Sequence, residues 1–379
     1  MSARPELILG IETSCDETAA AVVTTDGQIL SNVIASQFDD HRAHGGVVPE
    51  VAARAHLSQI DTVIHRAMGE AGADYASLAA VAATGGPGLI GGVLVGTVTA
   101  KAIAAARQVP YFAVNHLEGH ALTARLTSLE NGGISYPYLL LLVSGGHTQL
   151  LAVSGPGQYR RYGTTLDDAA GEAFDKSAKI LGLDLPGGPR IEALAKTGDD
   201  AAFDLPRPLA HKPGCHFSFS GLKTAVRTAH QDVIAPLTDA AAIAQKKADL
   251  AASLEKAIAD SLTSRSRNAM RRFRDDHGGM ANTSGFVTPG FVTPGFVLAG
   301  GVGANQRIRS SLMELSAQEG FAFNVPPVHL CTDNAVMIAW AAAERMAAGL
   351  PADDLDFAPR PRWPLDPDAA PPPGRGVKT

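Results

Sequence analysis

Two histidines stand four residues apart in the segment VNHLEGH, at His116 and His120. On an α-helix, residues i and i+4 share one face, so both imidazole rings can reach a single cation. A third ligand must come from elsewhere in the chain, and Asp333, in the segment CTDNA, is the candidate. The alternative is a pair of surface histidines stacked over apolar residues of a helix. The spacing alone leaves both interpretations open.

Three classes of protein have to be weighed against these residues. Zinc peptidases use HExxH, in which the glutamate after the first histidine acts as the base. Here Leu117 fills that position and Glu118 follows it, so the peptidase geometry fails. A small-molecule kinase would normally rely on magnesium and carboxylates rather than on two histidines. A non-catalytic assembly module would not require the His–His–Asp set at all.

Four glycine-rich segments allow a ligand to approach the backbone closely. They are GGPG at 85–88, SGGHT at 144–148, PGGP at 186–189 and AGGVGAN at 299–305. Three of them follow predicted strands, and ligands gather at the carboxyl ends of strands and at helix N-termini. None is a Walker A loop, and none has the dinucleotide-binding G-x-G-x-x-G pattern. We therefore expect a nucleotide to be held in a split site between two lobes.

The elements that position these segments alternate between strand and helix, which predicts an α/β protein. The predicted strands are 7–11, 19–23, 29–36, 81–84, 111–114, 138–144, 149–154 and 295–300, and the predicted helices are 56–71, 93–106, one containing HLEGH, 167–182, 240–275, one from Gln306, and 334–348. A strand–loop–strand opening occurs twice, near residues 7–23 and 138–154. This repetition suggests a duplicated lobe with a cleft between the copies.

Composition limits the class of protein. The chain has 379 residues, of which 18% are charged, and a formal net charge of −6. A basic surface for nucleic acid must then be local or supplied by a partner. The three cysteines are sparse and odd in number, which fits a reduced cytoplasmic protein without a disulfide framework.

We expect no membrane segment. The first residues turn polar too quickly for a signal peptide. The most apolar stretch, residues 79–106, is interrupted by GGPG and by Gly91 and Gly92. A buried strand, a glycine loop and a helix explain this stretch better than a membrane span.

Taken in order, the motifs of this chain resemble one family. They are GIETSCDETAAAVV, HGGVVPEVAARAH, TGGPGLIGGVLVG, VNHLEGH, LLVSGGHTQL, DDAAGEAFDKSAKILGL, PGGP, FSFSGLKTAV, LAGGVGAN, CTDNAVMIA and PRPRWPL. This series resembles the bacterial tRNA N6-adenosine threonylcarbamoyltransferases, the TsaD family, from about residue 7 to residue 365. The chain departs from the pattern mainly at GFVTPGFVTPGFV, residues 285–297, which we interpret as a loop insertion.

The resemblance implies an actin-like, sugar-kinase-like and Hsp70-like fold, with two ribonuclease-H-like lobes around an interlobe cleft. The expected N-terminal lobe is residues 1–137, and the expected C-terminal lobe is 138–333 with an insertion near 285–295. Residues 334–365 would form a final helix that returns toward the N-terminal lobe. The Pro-rich tail, 366–379, is expected to be disordered.

The resemblance also implies an activity and a site. The family moves a threonylcarbamoyl group from threonylcarbamoyl-AMP to N6 of the adenosine beside the tRNA anticodon. Carried over to this chain, the ligands of one divalent metal would be His116, His120 and Asp333, with iron(II) favoured and zinc also suited. The adenylate would contact Leu142, Val143, Ser144, Gly145, Gly146, Asp175, Gly188 and Asn305.

Further roles follow from residue type. Asp16 or Glu17, in the first turn, could orient or deprotonate the attacking amine, and a purely structural role is the alternative. His147 could donate into the cleft or stabilise its own turn, and His56 is expected at the surface. An arginine cluster at 271–274 could contact tRNA or simply face solvent. The resemblance implies two protein partners, a TsaB-like paralogue of related fold and a TsaE-like small ATPase.

Overall fold

The computed structural model describes residues 5–37, 48–277 and 293–371. The strands are β1 Leu7–Glu12, β2 Glu17–Thr24, β3 Ile29–Ser36, β4 Leu78–Gly86, β5 Tyr111–Asn115, β6 Tyr138–Val143, β7 Thr148–Gly155, β8 Gln158–Thr164, β9 Gly295–Ala299 and β10 Ala322–Asn324. The helices are α1 Pro49–Glu70, α2 Ile90–Arg107, α3 His116–Ser128, α4 Ala170–Leu181, α5 Gly187–Ala195, α6 Ser220–Ala229, α7 Ala240–His277, α8 Gln306–Glu319 and α9 Val336–Ala347. The predicted α/β class is confirmed.

The strands form two five-stranded sheets of the same design. The first has the order β3-β2-β1-β4-β5 and the second β10-β9-β6-β7-β8. In each, three consecutive strands pair antiparallel, and two later strands add in parallel beside the first of them. The repeated design agrees with the two lobes expected from the sequence, while the exact lobe boundaries stay a prediction.

Helix α3 lies between the two sheets. Its residues Leu122 and Leu126 pack into the core that includes Phe112 of β5. Leu117 and Ala121, on another side, pack into the core of Leu140 and Leu142 on β6. All of these residues are buried. The strand residues among them are apolar because central strands of a sheet that is covered on both faces have apolar side chains on both sides. The two histidines of VNHLEGH are therefore carried to the boundary between the lobes.

The last helix, α9, completes the core of the first lobe. It packs against β1 and β2, and its apolar residues belong to the same core as Ile8 and Ala21. Gly10 on β1 is needed for this contact, because a Cβ there would lie 2.7 Å from the backbone nitrogen of Ala339. The predicted final helix over 334–365 is wrong in its length, because α9 ends at Ala347 and the residues after it are extended.

Residues 351–371 follow α9 as an extended segment, here called the C-terminal strap. It runs along the edge of the first sheet, where Asp353 N donates to Tyr111 O at 2.8 Å. It then reaches the second sheet, where Arg161 N donates to Asp366 Oδ2 at 2.7 Å. The predicted disorder of 366–379 is therefore wrong for 366–371, because a carboxylate ties this part to β8. Residues 372–379 lie outside the described residues.

Two other predictions need correction or fall outside the described residues. His56, expected at the surface, is fully buried on α1, with Nδ1 2.8 Å from Thr18 Oγ1 and Nε2 3.2 Å from Cys15 O. Its hydrogen bonds explain why a polar ring can be buried here. The repeat at 285–297 lies outside the described residues as far as residue 292, and β9 begins at Gly295.

Helix α2 is the one described helix that is long and apolar enough to span a membrane, with a mean hydropathy of 1.3 over 18 residues. It packs against β4 and α1 of the first lobe. Gly92 makes this packing close, because a Cβ there would lie 3.0 Å from the His56 ring. The helix thus has a structural reason to be apolar, in agreement with the predicted strand, glycine loop and helix.

Candidate active site

His116 and His120 stand at the start of α3, directly after β5. Asn115 ends the strand and caps the helix, since its Oδ1 accepts from Leu117 N at 2.9 Å. The two rings lie with centroids 4.8 Å apart and planes at 90°. The predicted placement of both rings on one helical face is confirmed.

Asp333 meets these histidines from the second half of the chain. Its Oδ1 lies 3.1 Å from His120 Nε2 and 3.5 Å from His116 Nε2, and one ligand atom from each residue lies within 4.8 Å of the others. Asn334 holds the segment in place by donating to Thr332 O at 2.7 Å and accepting from Met337 N. Two imidazoles and one carboxylate form a donor set that fits a divalent transition metal and leaves coordination positions open. The cluster therefore fits a metal site.

The charges of the cluster favour a cation. Burial opposes a proton on His116, but Asp333 and Glu12 outweigh it and raise the pKa of His116 to about 9. Burial likewise opposes ionisation of Asp333, yet His116, His120 and His147 bring the pKa of that carboxyl below its usual range. A positive charge is thus stabilised between these side chains, as a bound metal would require.

Glu12, the last residue of β1, is a site residue that sequence reasoning missed. It is fully buried, and its Oε2 lies 3.1 Å from His116 Nδ1. It also accepts from Ser14 N at 2.6 Å and from the hydroxyl of Thr84. A charged residue at the end of a buried apolar strand was the available indication, because such a group needs several partners.

Asp16 lies in the turn between β1 and β2, and Glu17 is the first residue of β2. Burial, then the charges of Asp333 and Asp16, raise the pKa of Glu17 to about 10. Burial raises the pKa of Asp175 on α4, and the charge of Asp16 adds a small part, so the two carboxylates are close enough to interact.

The predicted adenylate segment, 142–146, ends β6. Leu142 and Val143 are fully buried, so only their backbone could reach a ligand. Ser144 N donates to His147 O at 2.8 Å, and His147 N to Ser144 Oγ at 3.2 Å, which makes a tight turn. Both bonds use the backbone of His147, so the role of its side chain stays a prediction.

The glycines of the predicted cleft face open space. At Gly145, Gly146 and Gly188 no described heavy atom lies within 4 Å of the place that a Cβ would occupy. By contrast, a Cβ on Gly171, at the start of α4, would lie 2.7 Å from Gly145 Cα. Helix α4 thus begins against the SGGHT turn, while the other side of that turn is free to receive a ligand.

The family model described as TsaD, tRNA N6-adenosine threonylcarbamoyltransferase, matches residues 28–340. The chain belongs to this family. A tRNA N6-adenosine threonylcarbamoyltransferase of Rhizobium meliloti (strain 1021) is 55% identical over 366 residues, covering 96% of each chain. One of Brucella canis is 54% identical over 373 residues, covering 97% of this chain and 98% of that protein.

Solved structures agree on the fold of this threonylcarbamoyltransferase family member. T. kodakarensis HypF has a TM-score of 0.53 at 13% identity, covering 93% of this chain and 49% of HypF. A full-length HypF in a phosphate- and nucleotide-bound form has a TM-score of 0.51 at 12% identity, covering 90% of this chain and 46% of HypF. Together with the two sheets, this confirms the actin-like α/β fold.

Asn305 has a structural task in this threonylcarbamoyltransferase. Its Oδ1 accepts from Ile308 N at 3.0 Å at the start of α8, and its Nδ2 donates to Glu255 Oε1 at 2.7 Å. A contact between this side chain and the adenylate therefore stays a prediction.

Arg309, which sequence reasoning missed, joins two parts of the site. It donates to Gly303 O in the AGGVGAN loop and to Pro326 O at 3.1 Å, and it lies 3.3 Å from Cys331 Sγ. Cys331 stands two residues before the metal-ligand candidate Asp333. A single guanidinium thus connects the glycine loop to the segment that carries Asp333.

The arginine cluster at 271–274 has partners within the protein. The guanidinium of Arg272 lies 4.3 Å from the centroid of the Tyr162 ring, and Arg274 donates to Glu319 at 2.6 Å. These contacts give Arg272 and Arg274 a role in packing α7. They do not support a contact between this arginine cluster and tRNA.

Proposed function

We propose that this chain transfers the threonylcarbamoyl group from threonylcarbamoyl-AMP to N6 of the adenosine on the 3′ side of the anticodon, in tRNAs that read ANN codons. The observation that carries the proposal is the meeting of His116, His120 and Asp333 within 4.8 Å at the boundary of the two sheets. Family membership supplies the class of reaction.

One divalent cation per chain would be held by His116, His120 and Asp333. We favour iron(II), and zinc suits the same donors. When bound, such a cation polarises a substrate carbonyl and offsets charge on a leaving phosphate. The protein side chains supply the fixed, mostly buried cluster, whose ligand atoms already lie near one another.

The adenylate would lie along the second lobe. The backbone amides of Gly145, Gly146 and Gly188 suit phosphate or carboxylate oxygens, because no side chain blocks them. The Ser144 hydroxyl can add a further hydrogen bond, and the Asp175 carboxylate can accept from a ribose hydroxyl. Holding the adenylate in one orientation is a large part of the catalytic task, because the adenine amine is a weak nucleophile.

In the transfer step, the N6 amine attacks the carbamoyl carbon. The bond from that carbon to the phosphate oxygen breaks, and AMP leaves with the electron pair. The surplus amine proton passes to a carboxylate, for which Asp16 and Glu17 are the candidates. Burial and the charges of Asp333 and Asp16 raise the pKa of Glu17, which favours hydrogen-bond donation by Glu17 and leaves Asp16 as the candidate for proton removal.

We further propose a cytoplasmic protein that works with tRNA, a TsaB-like paralogue and a TsaE-like small ATPase. An apolar stripe on α2 supports docking of a protein partner: Ile90, Leu94 and Val98 are 46%, 43% and 59% exposed and repeat every four residues. Exposed apolar residues that line up on one face mark interaction surfaces. A Leu94→Asp, Val98→Asp variant should then no longer bind the protein partner, while its metal content should equal that of the wild type.

The reaction is tested by reconstitution. Threonine, bicarbonate, ATP, unmodified tRNA, the adenylate-forming enzyme and the two partners are combined with the purified chain, and the tRNA nucleosides are analysed by mass spectrometry. Threonylcarbamoyladenosine is expected only when this chain is present. Its absence under every combination of partners would exclude the proposed transfer.

The metal is tested separately, by elemental analysis of the purified protein. We expect about one metal per chain in the wild type and none in a His116→Ala, His120→Ala variant. His65→Ala, which removes an exposed histidine of α1, is the matched control and should keep its metal. Full metal content in the double variant would refute the assignment.

A further inference from the structure

We propose that Glu12 sets the tautomer of His116, keeping the ring proton on Nδ1 so that the Nε2 lone pair faces the cation. The inference rests on the metal site proposed above and adds a positioning residue to it. Histidine has two ring nitrogens, and in the neutral ring one carries a proton while the other can bind a metal. Which nitrogen is free depends on the partner of the other.

The two nitrogens of His116 face two different carboxylates. Nδ1 lies 3.1 Å from Glu12 Oε2, and Nε2 lies 3.5 Å from Asp333 Oδ1. The Ser14 hydroxyl, which can donate or accept, also lies 3.1 Å from Nδ1. An ionised carboxylate can only accept hydrogen bonds, so its neighbour Nδ1 must carry the proton. That arrangement leaves Nε2, on the side of Asp333 and His120, free to bind the cation.

The surroundings of Glu12 fix the orientation of its carboxylate. It is fully buried at the end of β1, and both of its oxygens already accept hydrogen bonds. Oε1 accepts from Ser14 N at 2.6 Å, and Oε2 accepts from the Thr84 hydroxyl as well as facing His116. A backbone N–H can only donate, so it fixes Oε1 as an acceptor. The carboxylate is therefore held in one orientation by strand β4 and by its own chain.

The same contacts make Glu12→Gln an informative variant. A glutamine NH2 group cannot face Ser14 N, because two donors would then meet. The NH2 must point to Thr84, whose hydroxyl can rotate to accept, and to His116 Nδ1. An NH2 that donates to Nδ1 forces the ring proton onto Nε2, which removes the lone pair from the cation side. Glu12→Gln, a nearly isosteric change, should thus prevent His116 from binding the cation although His116 itself is still present.

The first experiment measures zinc affinity of the full-length chain, stripped of metal and titrated in competition with a chromophoric chelator. We expect Glu12→Gln to bind zinc about 100-fold more weakly than the wild type. Glu344→Gln is the matched control, since Glu344 is also a buried glutamate of the same lobe, with Arg125 and Tyr136 as partners. It should bind zinc as the wild type does. Wild-type affinity in Glu12→Gln would overturn the proposal.

A second experiment reads the tautomer directly and needs no variant to fold. In the zinc-loaded wild type with 15N-labelled histidine, NMR should show a proton bonded to Nδ1 of His116. A proton on Nε2 instead would overturn the proposal. The two hypotheses fail differently: a wild type that binds no zinc defeats the metal site and with it this role of Glu12, whereas a wild type that binds zinc with unprotonated Nδ1 defeats the role of Glu12 alone.

Discussion

The two lobes share a sheet design but offer different chemistry where their strands end. In the first sheet, β1 and β5 lead into buried polar side chains, Glu12 and His116. In the second, β6 and β9 lead into glycines, Gly145 and Gly300. The first lobe therefore presents two of the three side chains that can hold a cation, to which Asp333 is added from later in the chain, and the second lobe presents backbone that can hold an anion. A duplicated fold need not duplicate its function.

The glycines of the second lobe are of two kinds. Gly300 has φ +92, and a Cβ there would lie 2.8 Å from the carbonyl carbon of Val143, so this glycine is needed to build the loop. Gly146 and Gly188 meet no described heavy atom within 4 Å, so nothing in the described protein requires them. Their small size is explained if a ligand occupies the space beside them.

The largest effect should come from the cation side. Asp333→Asn keeps the size of the side chain and removes the charge that pairs with His116 and His120. We expect loss of the metal and a fall in single-turnover transfer of about 1000-fold. Binding of the adenylate, measured by calorimetry with a non-transferable analogue, should weaken far less. Equal losses in both measurements would break the division between the lobes.

The second largest effect, a loss of stability, is expected at Glu118, which links the two lobes. Its Oε1 accepts from Gly157 N at 2.7 Å and from the Tyr159 hydroxyl at 3.0 Å, which ties α3 to the β7–β8 turn. Glu118→Ala leaves both donors without this acceptor and should lower the free energy of unfolding by about 2 kcal/mol. Denaturant titration measures this loss.

Glu118→Gln sharpens the same test through pH. Burial raises the pKa of Glu118, although Gly157 and Tyr159 oppose the shift. A raised carboxyl pKa in the folded state means that the wild type loses stability as pH rises from the unfolded value toward the folded one. Glutamine keeps the acceptor oxygen without that pH dependence. The difference in unfolding free energy between Glu118→Gln and the wild type should therefore favour the variant more at pH 8 than at pH 5. The opposite change with pH would contradict this explanation.

A smaller effect is expected on the anion side. Gly188→Ala adds a methyl group to open space, so the stability of the protein should not change. If the adenylate lies there, its KM should rise about tenfold while kcat stays near the wild-type value. Gly69→Ala, on α1, is the matched control, because its Cβ also meets no described heavy atom within 4 Å. An unchanged KM in Gly188→Ala would remove this glycine from the proposed site.

The smallest effect tests the strap that spans both lobes. Asp366→Ala removes the acceptor for Arg161 N and should lower the free energy of unfolding by about 1 kcal/mol. The exposed Asp356, earlier in the strap, provides the control in Asp356→Ala, which should behave as the wild type. Thermal unfolding of the wild type, Asp366→Ala and Asp356→Ala, measured side by side, tests this prediction. Identical midpoints would show that residues 366–371 do not hold the lobes.

Sequence reasoning was strongest where a pattern is local. The i,i+4 histidines and the alternation of strands and helices predicted α3 and eight of the ten described strands, because helical and strand periodicities follow from backbone geometry. The two edge strands of the second sheet, β8 and β10, were not predicted. The addition of Asp333, 213 residues after His120, came from matching a second motif and is now supported by a 3.1 Å distance. Family resemblance supplied what spacing could not.

The residues that sequence reasoning missed are those whose role depends on distant partners. Glu12 lies beside Thr84 and His116, and Arg309 beside Gly303 and Cys331, and neither pair of partners is close in sequence. His56 was expected at the surface because it flanks the GGVVPE turn, and its partners Thr18 and Cys15 are distant in sequence. Asp366 was expected in a disordered tail because composition does not reveal a single backbone hydrogen bond.

The packing of α9 on β1 has a consequence for biosynthesis. The ribosome makes β1 long before α9, yet Gly10 and Ala339 are in contact. After β5 has been made, one side of the first sheet keeps its apolar surface uncovered while a further 220 residues, 116–335, are translated. We expect nascent chains that stop before residue 336 to be captured by chaperones or degraded, even though their first sheet is complete in sequence.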